Sequence, residues 1–267
     1  MKKYLFQILF LVISLNATMN NVHIINKKNK TKIDVYIKND MLYDITLLYN
    51  AKTKNLLSST NLPIKKIIKS KTTKHITAFY IKAKKYSLQS TYKYALGSKY
   101  SIHDDSYLYR LPYKIGTSKI VTQSFNGKFS HKGNSKYAVD FKMKIGTKIY
   151  ASREGIVVNT KNDGSKHGSK KYIREANFIT IKHKDGTYAK YAHLKKGGVA
   201  VKVGQKIRRG QFIGYSGNTG YTKGPHLHFL VFKGKGYNTR ESLKIKFISS
   251  IGIVYKPIRF KKYKAVK

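Results

Sequence analysis

Apolar residues in this chain recur at every second position, and no helical stripe of useful length is visible; that period restricts the fold more than any other feature. In residues 32–39, Ile33, Val35 and Ile37 alternate with Asp34, Tyr36 and Lys38. Comparable runs lie at 43–49, 75–81 and 91–96. Successive side chains of a strand point to opposite faces, so each run puts one face in a core and the other in water. Several such strands joined by polar turns predict a small β-sandwich-like domain over residues 18–114.

Glycine becomes frequent past a candidate junction at 103–116, which contains Asp104, Asp105, Pro112 and Gly116. Turn signals recur at Gly146-Thr147, Asp185-Gly186, Gly197-Gly198 and from Gly217 to Gly224, with short apolar runs at 148–151, 178–183 and 226–232 between them. Asp185-Gly186 between two apolar runs is a strong hairpin signal. Residues 115–255 are expected to form a second β-rich domain whose loops can carry a site. The fold class is all-β throughout. Residues 256–267 are basic and are expected to form a frayed tail.

The first residues read as an export signal. Met1-Lys2-Lys3 is a positive start, the stretch from Tyr4 to Leu15 is almost unbroken apolar, and Ala17 is the expected last residue before cleavage. Roughly a dozen apolar residues are too few for a comfortable membrane span, so residues 1–17 are expected to be a cleaved signal peptide. The mature protein is then exported, periplasmic or extracellular, without a transmembrane anchor. Cysteine is absent, which excludes disulfides and lipid attachment at the signal site. Stability is left to the core and to any bound metal.

The chain carries 55 Lys and Arg against 11 Asp and Glu, a formal net charge of +44. A field of that strength implies anionic partners, either nucleic acid or anionic envelope polymers. Lys dominates; arginine occurs only at Arg110, Arg153, Arg174, Arg208, Arg209, Arg240 and Arg259. Specific phosphate or base readout favours the arginine fork. No nucleic-acid recognition motif is present, so specific nucleic-acid binding is not expected, and electrostatic adsorption to envelope polymers is.

Two of the nine histidines, His226 and His228, sit in Gly224-Pro225-His226-Leu227-His228-Phe229. On a strand both imidazoles project from one face, while Leu227 and Phe229 enter the core. Pro225 suits the start of such a strand. Two converging imidazoles suit zinc, and a catalytic zinc needs three protein ligands and an open position. Further candidates are His131, in Ser130-His131-Lys132-Gly133, and Asp140, in Ala138-Val139-Asp140-Phe141. A lone carboxylate in so apolar a strand is costly to bury unless it is paired or bound to a metal. His193, in Tyr191-Ala192-His193-Leu194, completes the set, with Tyr191 expected on the same face. The five residues supply three ligands and two spare imidazoles.

In this order the motifs resemble the M23 peptidases, the lysostaphin-like or LytM-type cell-wall endopeptidases. The matching stretches are 130–133 with 137–141, 146–147 with 151–155, 188–194, 203–204 with 210–214, and 216–220 leading into 224–229. The resemblance covers residues 115–235 and implies an antiparallel LytM-type catalytic domain holding one zinc ion per chain. It implies His131, Asp140 and His228 as metal ligands and His193 and His226 as unligated catalytic imidazoles. His131 and Asp140 stand nine apart where many members have four, a spacing read as a loop insertion. Asp104, Asp105 and Asp163 lack the motif context of a substitute ligand.

The implied activity is zinc-dependent hydrolysis of peptide cross-links or stem peptides in bacterial peptidoglycan. One of His193 and His226 would take the proton of the attacking water and the other would donate to the developing oxyanion. No HExxH helix is present, so the base is not the glutamate of that motif, and Glu154 and Glu175 read as surface residues. The alternative function is that of a non-catalytic wall-binding or hydrolase-activating relative. His183 is expected to be exposed beside its hairpin, and His23, His75, His103 and His167 have no partner motif. A glycine bridge is the less expected target, because no dedicated wall-targeting module is visible.

Overall fold

The computed structural model describes residues 21–236 and 239–267. The expected signal peptide lies outside the described residues. The chain divides between Leu96 and Gly97 into two compact units, both built from strands.

In the N-terminal unit the strands are β1 (Val22–Lys28), β2 (Lys32–Asn39), β3 (Ile45–Lys54), β4 (Leu56–Ser58), β5 (Ile64–Ile68), β6 (Thr72–Ile81) and β7 (Ser87–Leu96). They form two antiparallel sheets, ordered β1-β2-β6-β4 and β5-β3-β7. Alternation decides what each sheet buries. Ile33, Val35 and Ile37 of β2 and Ile45, Leu47 and Tyr49 of β3 are all fully or almost fully buried. Asn39 continues the inward row of β2, and its amide is satisfied by the carbonyls of Tyr43, Ile68 and Lys69.

The C-terminal unit opens with β8 (Leu108–Arg110), β9 (Ser118–Gln123), β10 (Val139–Lys142), β11 (Lys148–Tyr150) and β12 (Gly155–Lys161). There follow β13 (His167–Gly168), β14 (Asn177–Lys182), β15 (Tyr188–Val199), β16 (Lys206–Ile207) and β17 (Phe212–Ser216). The last are β18 (Gly220–Tyr221), β19 (His226–Gly236), β20 (Thr239–Ser242), β21 (Lys246–Ser249), β22 (Gly252–Val254) and β23 (Lys262–Lys264). The main sheet runs β16-β12-β14-β15-β19-β10-β9-β23, with β11, β17 and β20 attached to it. Neighbours in this sheet are antiparallel, and β14 and β15 form the expected hairpin at Asp185-Gly186, where Gly186 takes a φ of 78°.

One face of the central strands is apolar. Val139 and Phe141 of β10, Ala189 and Tyr191 of β15, and Leu227, Phe229 and Val231 of β19 join one buried cluster with Tyr109 and Phe247. Rings meet at centroid separations of 5.0 Å for Tyr191–Phe229 and 5.8 Å for Phe229–Phe247. Burying each such side chain contributes about 1.5–3 kcal/mol, so this face fixes the strand register. The opposite face is thereby committed to the polar residues between.

Both ends of this unit depart from the sequence expectation. Tyr109, Leu111 and Tyr113 belong to its core, and β8 pairs in parallel with β21, so the stretch after Gly97 is part of the second unit. Residues 256–267 are not frayed: β23 pairs with β9, and Tyr263 and Ala265 are buried. Lys262 and Lys264, on either side of the inward-facing Tyr263, are exposed, and it is such residues that suggest a solvated tail. His183 is also buried, with 1% of its surface exposed. The turn it precedes folds back through Arg153, whose Nη1 donates to the Asp185 carboxylate at 2.7 Å.

Candidate metal centre

The polar face of the main sheet carries the site across adjacent strands. In β19, His226 and His228 alternate with Leu227 and Phe229 and so point away from the core. Asp140 of β10 lies directly opposite His228 in the antiparallel register. His131 comes from the connection between β9 and β10 and is fully buried. His131, Asp140 and His228 each offer one ligand atom, and these atoms lie within 4.8 Å of one another. It is the one such cluster found among the described residues. Asp105 instead bonds His103, Asp163 bonds Lys161, and Asp104 accepts from Ser106.

The hydrogen bonds fix the tautomers. A carbonyl oxygen only accepts, so His131 Nδ1, 2.8 Å from the Ser124 carbonyl, carries the proton. In the neutral ring Nε2 holds the lone pair; it is buried and without a hydrogen-bond partner, 3.1 Å from Asp140 Oδ1. Two electron-rich atoms face each other inside the protein, an arrangement that a bound cation resolves. Nitrogen and carboxylate donors in this number suit zinc, so the residues present fit the implied metal. Burial alone would raise the Asp140 carboxyl, but the imidazoles of His131 and His228 lying against it hold it well below the usual carboxylate range.

His193 and His226 complete the constellation, with ring centroids 4.7 Å apart. His193 Nδ1 donates to the Thr219 carbonyl at 2.7 Å and His226 Nδ1 to the Gly224 carbonyl at 2.8 Å. In each ring Nδ1 is thereby committed to a carbonyl and Nε2 is the nitrogen left for the cleft. Burial, then the neighbouring His226 and His228, pushes the His193 imidazole down to about 3. Both rings line a cleft of about 850 Å³ walled by Phe129, Tyr221 and Pro225.

Residues 134–240 match the family model of Peptidase family M23. The C-terminal unit contains an M23 peptidase domain. The chain is 30% identical over 226 residues to an uncharacterized metalloprotease of Buchnera aphidicola, covering 82% of this chain and 50% of that protein. It is 35% identical to the peptidoglycan DD-endopeptidase ShyA of Vibrio cholerae, over 52% of this chain and 31% of the relative. It is 36% identical to lysostaphin of Staphylococcus simulans, over 45% and 22%. The chain thus spans half or less of the length of these relatives. The solved catalytic domain of lysostaphin from Staphylococcus simulans is 30% identical, covering 47% of this chain and 87% of that one, at a TM-score of 0.33.

Within the M23 domain, His193 is placed by a device that period-2 reading misses. Ala192 pairs with Phe178 and Leu194 with Asn177, so His193 is the extra residue of a bulge, at a φ of 64°. A bulge shifts facing by one residue. Tyr191 consequently faces the core rather than sharing the face of His193, contrary to expectation, and its hydroxyl accepts from the Ser152 amide. Left-handed backbone at a non-glycine residue persists only where the surroundings hold it. Here buried Asn177 and Thr219 do so: Thr219 Oγ1 and Asn177 Nδ2 both donate to the Leu194 carbonyl.

Three further supports escape sequence reasoning. Gln123 Nε2 donates to Asp140 Oδ2 at 2.9 Å, Ser124 offers the carbonyl that orients His131, and Thr219 orients His193. None carries a motif of its own. The one available signal is the spacing of Tyr191 and Leu194, two core residues three apart in a strand, which requires an inserted residue between them.

Proposed function

We propose that the protein is a zinc-dependent endopeptidase that hydrolyses peptide cross-links or stem peptides of bacterial peptidoglycan, with His131, Asp140 and His228 holding one zinc ion. The observation that carries this reading is the buried, unpartnered His131 Nε2 facing the Asp140 carboxylate beside His228, next to a cleft that also holds the His193 and His226 rings. When bound, zinc supplies Lewis acidity toward a peptide carbonyl and lowers the pKa of a coordinated water toward neutrality.

The chain's own residues supply the proton handling. His193 and His226 both turn Nε2 toward the cleft, the atom through which an imidazole exchanges a proton with an attacking water. The ring that accepts becomes an Nε2–H donor, able to pass the proton to the leaving amine. Gln123 holds Asp140 in place and Ser124 holds His131, a support that keeps ligands oriented. The bulge at His193 fixes its ring against Thr219, so little reorganisation accompanies reaction.

The relatives named peptidoglycan DD-endopeptidase and lysostaphin support a wall-peptide substrate. The apolar start of the chain supports export to the periplasm or cell exterior, with residues 1–17 as the cleaved leader. Among the described residues no helix is long and apolar enough to cross a membrane. The net charge of +44 supports adsorption to anionic envelope polymers, weakened by salt.

Digestion of purified peptidoglycan by the mature protein, with and without a zinc chelator, tests this reading through the masses of the fragments. Chelator-sensitive loss of cross-linked dimers is expected, with one zinc per chain by metal analysis. Intact wall from zinc-loaded protein would overturn the assignment of substrate, and a folded protein that holds no zinc would overturn the catalytic reading altogether.

A further inference from the structure

Residues beyond the family match build one wall of the cleft. Pro257, Ile258 and Arg259 line it together with His193, His226 and Asp140. This segment is fastened to β9, the strand that supports the metal ligands. Ser124 Oγ donates to the Pro257 carbonyl, and the Phe260 amide donates to the Val121 carbonyl at 2.7 Å. Arg259 Nε donates to the Thr122 carbonyl at 3.1 Å, next to the Gln123 that holds Asp140.

Arg259 is the one arginine among the residues lining the cleft, in a chain that uses lysine almost everywhere else. Its guanidinium carbon sits 4.3 Å from the centre of the Phe260 ring, and Phe260 itself is held at a φ of 68°. The head group is thus tethered at Nε and supported on a ring face. Its Nη atoms have no protein acceptor among the described residues. A planar fork held in this way matches a carboxylate in two-point contact, and its ordering cost is already met by the fold. Asp140 is the one acid lining the cleft, and its oxygens face the histidines of the candidate metal centre and Gln123. Lys128, Lys142, Lys223 and Lys256 make the rest of the rim positive.

We propose that Arg259 is a specificity residue that binds a free carboxylate of the substrate peptide, so that the cleft selects anionic stem peptides over neutral peptide such as the interior of a glycine bridge. The proposal rests on the reading of this cleft as a wall-peptide site. It places the selecting group in the C-terminal segment.

Equilibrium binding separates this proposal from turnover. A stem peptide with all of its carboxylates either free or amidated is titrated calorimetrically into the zinc-loaded full chain, its Arg259→Ala variant and its Arg259→Lys variant. The free acid should bind the wild type about tenfold or more tightly than the amide, since a charge-assisted two-point bond has that strength. Arg259→Ala should abolish the preference, and Arg259→Lys should keep part of it. Equal binding of both peptides by the wild type, no binding of either, or an unchanged preference in Arg259→Ala would overturn the proposal. Binding with the expected preference, but without cleavage of cross-linked wall, would count against the peptidase reading alone.

Discussion

Acid should destabilise the C-terminal unit through His183. The ring is fully enclosed, its Nδ1 donates to the Glu154 carbonyl at 2.7 Å, and its Nε2 has no partner. Burial, reinforced by the nearby Arg153 cation, pushes it down to about 4 from an ordinary 6.5. The folded protein therefore holds it neutral where the unfolded chain protonates it. Its stability contribution is complete above about pH 6.5 and is lost as the pH falls toward about 4. That window corresponds to about 3 kcal/mol, of which about 2 kcal/mol is lost between about pH 7.5 and 5. With a urea dependence of about 2 kcal/mol per molar, the unfolding midpoint should fall by about 1 M over that range. Burial also lowers His193 and His228, so the measurement is made on metal-free protein and compared with His183→Gln, whose side-chain amide can still donate to Glu154. The variant should shift the midpoint at every pH but flatten its slope below pH 6.5. Parallel curves for the two proteins would refute the reasoning.

Other perturbations separate the roles within the site. His228→Ala should lose zinc and activity together, whereas His193→Ala should keep one zinc per chain and lose turnover by about 10²–10⁴-fold; full activity in His193→Ala would remove that residue from proton transfer. Gln123→Ala frees Asp140 Oδ2 from its donor and should weaken zinc affinity by about 10–100-fold in a competition titration with a chelator. Gly217→Ala would put a Cβ 2.2 Å from the Lys195 amide nitrogen, where the contact is backbone and cannot swing aside. The expected cost is about 1–3 kcal/mol, read as a lower unfolding temperature, and an unchanged temperature would mean that the loop gives way freely.

Most of the candidate cluster is legible because its histidines and its acid stand where burial alone would not put them. His226 and His228 flank Leu227 at a spacing of two, and the structure places all three as that period requires, with Leu227 fully buried. Asp140 stood out as the one acid in an apolar run, and it lies opposite His228. What could not be read depends on contacts between segments far apart in sequence. Gln123, Ser124 and Thr219 act through one amide or one carbonyl each, and such groups are common to every strand and loop. The same holds for His183, whose neighbours Lys184, Asp185 and Gly186 form a solvated turn; nothing local announces that Glu154 closes over it.

His193 shows where the two kinds of information meet. Its motif is visible in the sequence, but strict alternation pairs it with Tyr191 and so gives the wrong orientation. The core settles the conflict: Tyr191 and Leu194 are both fully buried, and three-residue spacing on one face forces one extra residue into the strand. That residue takes the left-handed backbone that most side chains avoid. The strain is balanced by Asn177 and Thr219, which satisfy the carbonyl that the bulge releases, and Thr219 then accepts from the His193 ring itself. The group that repairs the backbone thus also fixes the tautomer, leaving Nε2 open toward the cleft. A regular strand would send the imidazole into the core, where it would meet neither the metal ligands nor a substrate.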